Sequence, residues 1–155
     1  MADHLTATRT VAASPAEVFA VLADPAQHRF TEPTDWVRDA VAPAPITEVG
    51  QLFGMDMFLE QVGGAYRMDN KVIAFEQDRT IGWQPGQTRD GEWGSGGWLW
   101  RYDLAPTDGG TTVTITYDWS AVPEQVRREF GGFPVFPAAY LDRSLAALET
   151  YVTTR

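Results

Sequence analysis

Five side chains in this sequence have the chemistry to move a proton or orient a carbonyl: Tyr66, Tyr102, Tyr117, His28 and Asn70. A phenol donates a hydrogen bond and an amide orients a carbonyl or hydroxyl. A histidine titrates near neutrality and serves as a general acid or base. Other chemistries lack their residues. The chain has no cysteine, so it has no disulfide, thiolate nucleophile or zinc–cysteine site. No His-Glu-x-x-His or other metal spacing occurs, and no Gly-x-Ser-x-Gly elbow. Lys71 is the only lysine, and alternation puts it on the outward face of its strand, away from any Schiff-base chemistry. The inward faces assigned by alternation carry no Asp or Glu, which leaves a paired-carboxylate mechanism without a home. No cofactor or metal is expected.

The elements that position these groups follow from period-two patterning. Trp98, Trp100, Tyr102 and Leu104 share one strand face; Val113, Ile115, Tyr117 and Trp119 share another. Asp108-Gly109-Gly110 between them is a hairpin signal. Folding there sets Leu104 opposite Val113, Tyr102 opposite Ile115, Trp100 opposite Tyr117 and Trp98 opposite Trp119. Upstream, Met55 and Met57 alternate inward on one strand. Tyr66, Met68, Asn70, Val72 and Ala74 do so on the next, around a turn at Gly63-Gly64 that sets Met57 opposite Asn70 and Met55 opposite Val72. A second turn at residues 76–79 sets Ile81 and Trp83 opposite Ala74 and Val72. Agreement of pattern and turn through successive hairpins predicts a meander.

Around the meander lie other signals. His4 to Val11 alternates and is threonine-rich, which predicts a strand. Arg9 shares a face with Leu5, Ala7 and Val11; it meets a ligand carboxylate if that face is inward and solvent otherwise, and solvent is the favoured reading. Ser14-Pro15-Ala16-Glu17 is a capping box with proline at the first helical position. Asp24-Pro25 opens a second short helix carrying His28, for which a solvent-facing place is favoured. Trp36 to Val41 reads as a short strand of undetermined facing. The glycine-rich stretch 85–97 reads as a long mobile loop, on which Trp93 either closes over a ligand or serves self-association. A short helix spans residues 124–130. A long one runs from Pro137 to about Thr153 with an apolar stripe of Leu141, Leu145, Leu148 and Val152.

Composition bounds the function. At 155 residues the chain is expected to be one domain over 1–155. A net charge of −9 repels nucleic-acid phosphates, and no basic patch offsets it. No apolar run approaches a membrane span, and no signal peptide is visible, so a cytoplasmic place is expected. The order of elements predicts an α+β fold: a curved antiparallel sheet of about six to seven strands wrapped around a long C-terminal helix, with two short helices after the first strand.

This order resembles the START-like helix-grip superfamily, also called SRPBCC, and within it the bacterial branch described as polyketide cyclase/dehydrase and lipid transport. The likeness is carried by residues 10–25 from Thr10 through Asp24-Pro25, by Val49-Gly50, by Tyr66-Arg67-Met68 to Phe75-Glu76, by Ile81-Gly82-Trp83-Gln84-Pro85, and by Leu145-Ala146-Ala147-Leu148-Glu149. It covers nearly the whole chain. The resemblance implies a cavity between sheet and long helix, open near the glycine- and proline-rich loops, with His28 on the helix flanking its mouth. The resemblance implies members that carry lipids or hormones, members that cyclise or dehydrate polyketides, and many without a known role, so the fold does not choose the chemistry.

The central question is whether Met55, Met57, Tyr66, Met68, Asn70, Trp83, Trp98, Trp100, Tyr102, Tyr117 and Trp119, with Leu141 and Leu145 from the helix, line a cavity or fill a core. Buried Trp N–H and Tyr O–H groups each need a partner, and methionine adapts to irregular ligands. Together with the resemblance this favours a cavity for an apolar or aromatic small molecule, lipid or polyketide-like. The alternatives are a cyclase or dehydratase using Tyr66, Tyr102, Tyr117 or His28, and a partner-binding module with a filled core. A monomer or homodimer is expected.

Overall fold

The computed structural model of the protein describes residues 3–154. β1 (His4–Val11) leads into α1 (Pro15–Leu22). The Ser14 hydroxyl accepts from the Glu17 N–H, and the Glu17 carboxylate accepts from the Ser14 N–H, so the expected capping box forms. Asp24 caps a 3-10 helix at Pro25–Phe30 through the Ala26 N–H. Then come β2 (Val37–Val41), β3 (Leu52–Leu59), β4 (Gly64–Glu76), β5 (Thr80–Gln84), β6 (Gly86–Arg89), β7 (Glu92–Ser95), β8 (Leu99–Thr107) and β9 (Gly110–Asp118). α2 (Glu124–Glu129) and α3 (Ala138–Thr154) close the chain.

Seven strands form one antiparallel sheet in the order β1-β9-β8-β5-β4-β3-β2. The long helix α3 lies across it and buries Leu141, Leu145, Leu148 and Val152 as the 4-3-4 spacing requires. This is the helix-grip fold. Arg9 lies opposite Val113 on the face that α3 covers, yet it stays exposed at the edge of the sheet, does not line the cavity between sheet and α3, and pairs with Glu149 of α3 at 2.8 Å.

The β8–β9 hairpin forms in the expected register, with Leu104 opposite Val113, Tyr102 opposite Ile115 and Trp100 opposite Tyr117. The ladder stops at Leu99–Asp118, so Trp98 and Trp119 are not a cross-strand pair. The Trp98 ring is held instead by Phe130 and Phe133, at centroid distances of 5.4 and 5.9 Å.

Three other expectations are corrected. The β3–β4 turn is centred two residues earlier than Gly63-Gly64, because Glu60–Val62 makes a 3-10 turn ended by Gly63 at φ +94°. Met57 therefore faces Tyr66 and Met55 faces Met68; the shift is even, so Tyr66, Met68 and Asn70 stay inward. A bulge between Val72 and Ala74 turns Phe75 inward in place of Ala74, opposite Ile81 and against Phe19. Finally, residues 85–97 are not a loop. β6 and β7 form a hairpin whose two-residue turn, Asp90-Gly91, has φ of +53° and +79°, the left-handed pair of a type I′ turn. The Trp93 indole N–H donates to the Asp69 carbonyl at 2.7 Å, and the Gln87 amide to the Arg67 carbonyl. These donors cover the edge of β4 that β5 leaves unpaired.

Candidate functional site

Between the sheet, the 3-10 helix, the β6–β7 hairpin and the start of α3 lies a cavity of about 630 Å³. That volume suits a ligand of small-molecule size. Met55, Met57, Tyr66, Met68, Asn70, Trp83, Trp98, Trp100, Tyr102 and Tyr117 all line it. β3, β4, β5, β8 and β9 deliver all but Trp98 because inward parity holds across the sheet; Trp98 lies just before β8 and is placed by Phe130 and Phe133. Trp119, Leu141 and Leu145 do not line it. They are buried in the core, where Leu141 and Leu145 hold α3 against the sheet and Trp119 packs beside Tyr117 at 5.2 Å.

The polar ends of the aromatic rings separate into two groups. Some are satisfied by the protein. The Trp36 indole donates to the Tyr66 hydroxyl, and the Tyr117 hydroxyl accepts from the Val135 N–H at 3.3 Å. Others face the cavity: the Asn70 amide and the Tyr102 hydroxyl hydrogen-bond no other described residue. Trp100 stacks on Tyr117 with centroids 4.4 Å apart, which fixes both rings in the wall.

His28 is not solvent-facing, as the sequence reading favoured. It is 5% exposed and lines the cavity. Its ring stacks on Trp83 at 4.9 Å and meets Phe53 edge-on at 5.5 Å. Nε2 lies 2.7 Å from the Leu22 carbonyl, which only accepts, so Nε2 carries the proton and Nδ1 is left as an acceptor. Burial lowers the imidazole's pKa below its ordinary value, against the opposing pull of the Leu22 hydrogen bond. The short spacing Asp24-x-x-x-His28 hid this outcome, because a 3-10 helix presents a different face from an α-helix.

The phenols shift the other way. Burial raises the pKa of Tyr66, opposed by the bond from Trp36, and pushes Tyr117 up to about 12. Burial, reinforced by the negative charge of Glu32, raises Tyr102 and Tyr140 further. All four therefore stay protonated at neutral pH and act only as hydrogen-bonding groups.

Glu32 is the residue that sequence patterning missed. The inward strand faces carry no carboxylate, but Glu32 and Glu92 both line the cavity, and Glu32 is only 8% exposed. Its Oε1 accepts from the Thr34 N–H at 3.0 Å, from the Thr34 hydroxyl, and from the Tyr140 hydroxyl at 3.2 Å. It sits in an irregular segment before β2, where no periodicity could assign its facing. Tyr140 lies beside the Leu141 stripe and would have been found by extending the helix face by one residue. Trp36 also lines the cavity, which settles its facing, and Phe133, Val135 and Phe136 close it from the segment before α3. Trp93 lines it too, with the Lys71 ammonium 4.3 Å from its ring centroid.

A sequence model of the family described as polyketide cyclase/dehydrase and lipid transport matches residues 2–153. The protein Rv0088 of Mycobacterium tuberculosis strain H37Rv is 32% identical over 144 residues, covering 89% of this chain and 59% of its own length. This chain thus spans about three fifths of the length of the curated relatives it matches. The solution structure of a protein from Arthrobacter aurescens aligns with a TM-score of 0.70 at 17% identity, over 99% of this chain and 88% of that one. DynU16, a protein of the dynemicin biosynthetic locus, aligns with a TM-score of 0.61 at 16% identity, over 99% of this chain and 48% of its own. Likeness at such identity speaks for the fold. Sheet, gripped helix, cavity and the match over nearly the whole length agree: the chain belongs to the polyketide cyclase/dehydrase and lipid transport family of the START-like superfamily.

Proposed function

We propose that this protein binds one apolar or aromatic small molecule, lipid or polyketide-like, in the cavity between sheet and α3. The carrying observation is the cavity itself: about 630 Å³ walled by stacked and tilted rings rather than closed by them. An apolar body gains roughly 25 cal/mol per Å² of surface removed from water. The Asn70 amide and Tyr102 hydroxyl supply the few polar contacts that fix orientation in such a site. Methionines 55, 57 and 68 let the floor adapt to ligand shape. Ligand-binding roles for Met55, Met57, Tyr66, Met68, Asn70, Trp83, Trp98, Trp100, Tyr102 and Tyr117 follow from this reading. A fluorescence titration with the neutral probe N-phenyl-1-naphthylamine tests it. The expected result is a saturable, one-to-one rise in emission that Trp100→Ala weakens. A linear, unsaturable response in the folded wild type would reject it.

A second reading is cyclase or dehydratase chemistry on a polyketide-type chain. What favours it is His28, whose neutral ring keeps Nδ1 as an acceptor in the cavity wall while the Tyr102 hydroxyl remains a donor. In this reading His28 takes a proton and a phenol polarises a carbonyl. The presence of DynU16 in a biosynthetic locus fits it. The check is a pH–rate profile on a candidate poly-β-ketone, whose acid limb must vanish in His28→Gln.

A further inference from the structure

The strongest unexplained feature in the molecule is one carboxylate oxygen. Glu32 Oε2 is buried and has no hydrogen-bond partner among the described residues, while Oε1 takes three donors. No Lys or Arg pairs with Glu32, although seven ion pairs are formed elsewhere among the described residues. A buried carboxylate without a counter-charge is costly, and folding alone gives no reason to keep one.

Aromatic rings gather around the tyrosine that holds it. Tyr140, whose hydroxyl donates to Oε1, packs against Phe136 at 4.9 Å and lies 6.1 and 6.3 Å from the Trp36 and Trp100 rings. Tyr102 is close enough to feel the Glu32 charge. Aromatic faces around a carboxylate stabilise an ammonium by cation–π attraction as well as by ion pairing. The chain's net charge of −9 favours approach of a cation over an anion.

We propose that Glu32 is a specificity-determining residue that pairs with a protonated amine, so that the ligand is an aromatic or apolar molecule carrying a basic nitrogen. The proposal rests on the cavity-binding reading and replaces the expectation of a neutral lining with a cationic-ligand subsite. The ammonium lies between Oε2 and the rings of Trp36, Trp100, Tyr102 and Tyr140. The apolar body extends from there along the methionine floor. A phenolic or alcoholic ligand satisfies Oε2 by hydrogen bonding alone and forgoes the charge pairing.

The experiment uses three matched probes: 1-naphthylmethylamine, 1-naphthylmethanol and 1-methylnaphthalene, titrated calorimetrically into the full chain at pH 7. A charge-assisted contact predicts that the amine binds about tenfold or more tighter than the alcohol. Glu32→Gln is expected to abolish that preference while 1-methylnaphthalene binds unchanged. Equal binding of all three probes by the wild type would overturn the amine proposal and leave the cavity reading standing, without recourse to any variant. So would a preference for the amine that survives in folded Glu32→Gln. If no probe binds the wild type, the cavity reading fails and the amine subsite fails with it.

Discussion

The two ends of the space under α3 are built on the same strands and differ in what fills them. At one end Val11, Val18, Val21, Leu22, Ile81, Val113 and Leu148 are essentially without exposure and close on one another. At the other, Trp36, Trp83, Trp98, Trp100, Tyr102, Tyr117 and Tyr140 surround about 630 Å³ of space. The β8–β9 hairpin shows the change within a single ladder. Leu104 opposite Val113 lies in the filled end, and Trp100 opposite Tyr117 lies in the hollow one. Branched aliphatic side chains collapse into gaps, whereas rigid rings that stack on one another hold a vault open. One end supplies stability and the other supplies a site.

This contrast can be broken at its filled end first. Leu141→Ala should cost about 2–5 kcal/mol of stability, because the cavity it leaves has no room to collapse. Urea denaturation measures the loss; probe affinity in the fraction that stays folded should hold within about twofold. Trp100→Ala probes the hollow end. It should cost only about 1–3 kcal/mol, since one face of the ring already borders open space, while weakening N-phenyl-1-naphthylamine by about tenfold. The reverse ranking of these two variants would dissolve the distinction between the ends.

His28 sharpens the comparison through pH. Its folded pKa lies below 6.5, so the folded state resists the proton that the unfolded chain accepts. The stability from neutral His28 is complete above pH 6.5 and drains as pH falls below it. Between pH 7.5 and 5.5 the urea midpoint should fall in the wild type and fall by less in His28→Gln. Tyr66→Phe removes the acceptor of the Trp36 indole and should cost about 1 kcal/mol, read by thermal unfolding. Smallest of all is Arg9→Ala. Its pair with Glu149 has side chains 43% and 28% exposed, so its loss should cost less than about 1 kcal/mol and leave binding untouched.

The sequence made the hollow end legible where strands were regular. Parity alone placed Met55, Met57, Tyr66, Met68, Asn70, Trp83, Trp100, Tyr102 and Tyr117 inward, and an even-numbered slip in the β3–β4 register did no harm to that assignment. Legibility ended where periodicity ends. Glu32 lies in an irregular segment and His28 on a 3-10 helix, and their facing depends on tertiary contacts that no spacing encodes. The β6–β7 hairpin was hidden by its glycines, which read equally as flexibility and as the demands of a type I′ turn. Trp119 shares parity with Tyr117, but the ladder stops before it, so it belongs to the core. Parity likewise could not tell which turns of α3 look into space: Leu141 and Leu145 pack, while Tyr140 and Ser144 line the cavity.

Native mass spectrometry of the protein purified gently from a cell extract tests the central claim most directly. A reproducible added mass of one small molecule per chain, lost in Trp100→Ala, is the predicted result. The bare chain mass, together with no thermal shift from a panel of apolar compounds and amines, would contradict the account and make the aromatic end a second core.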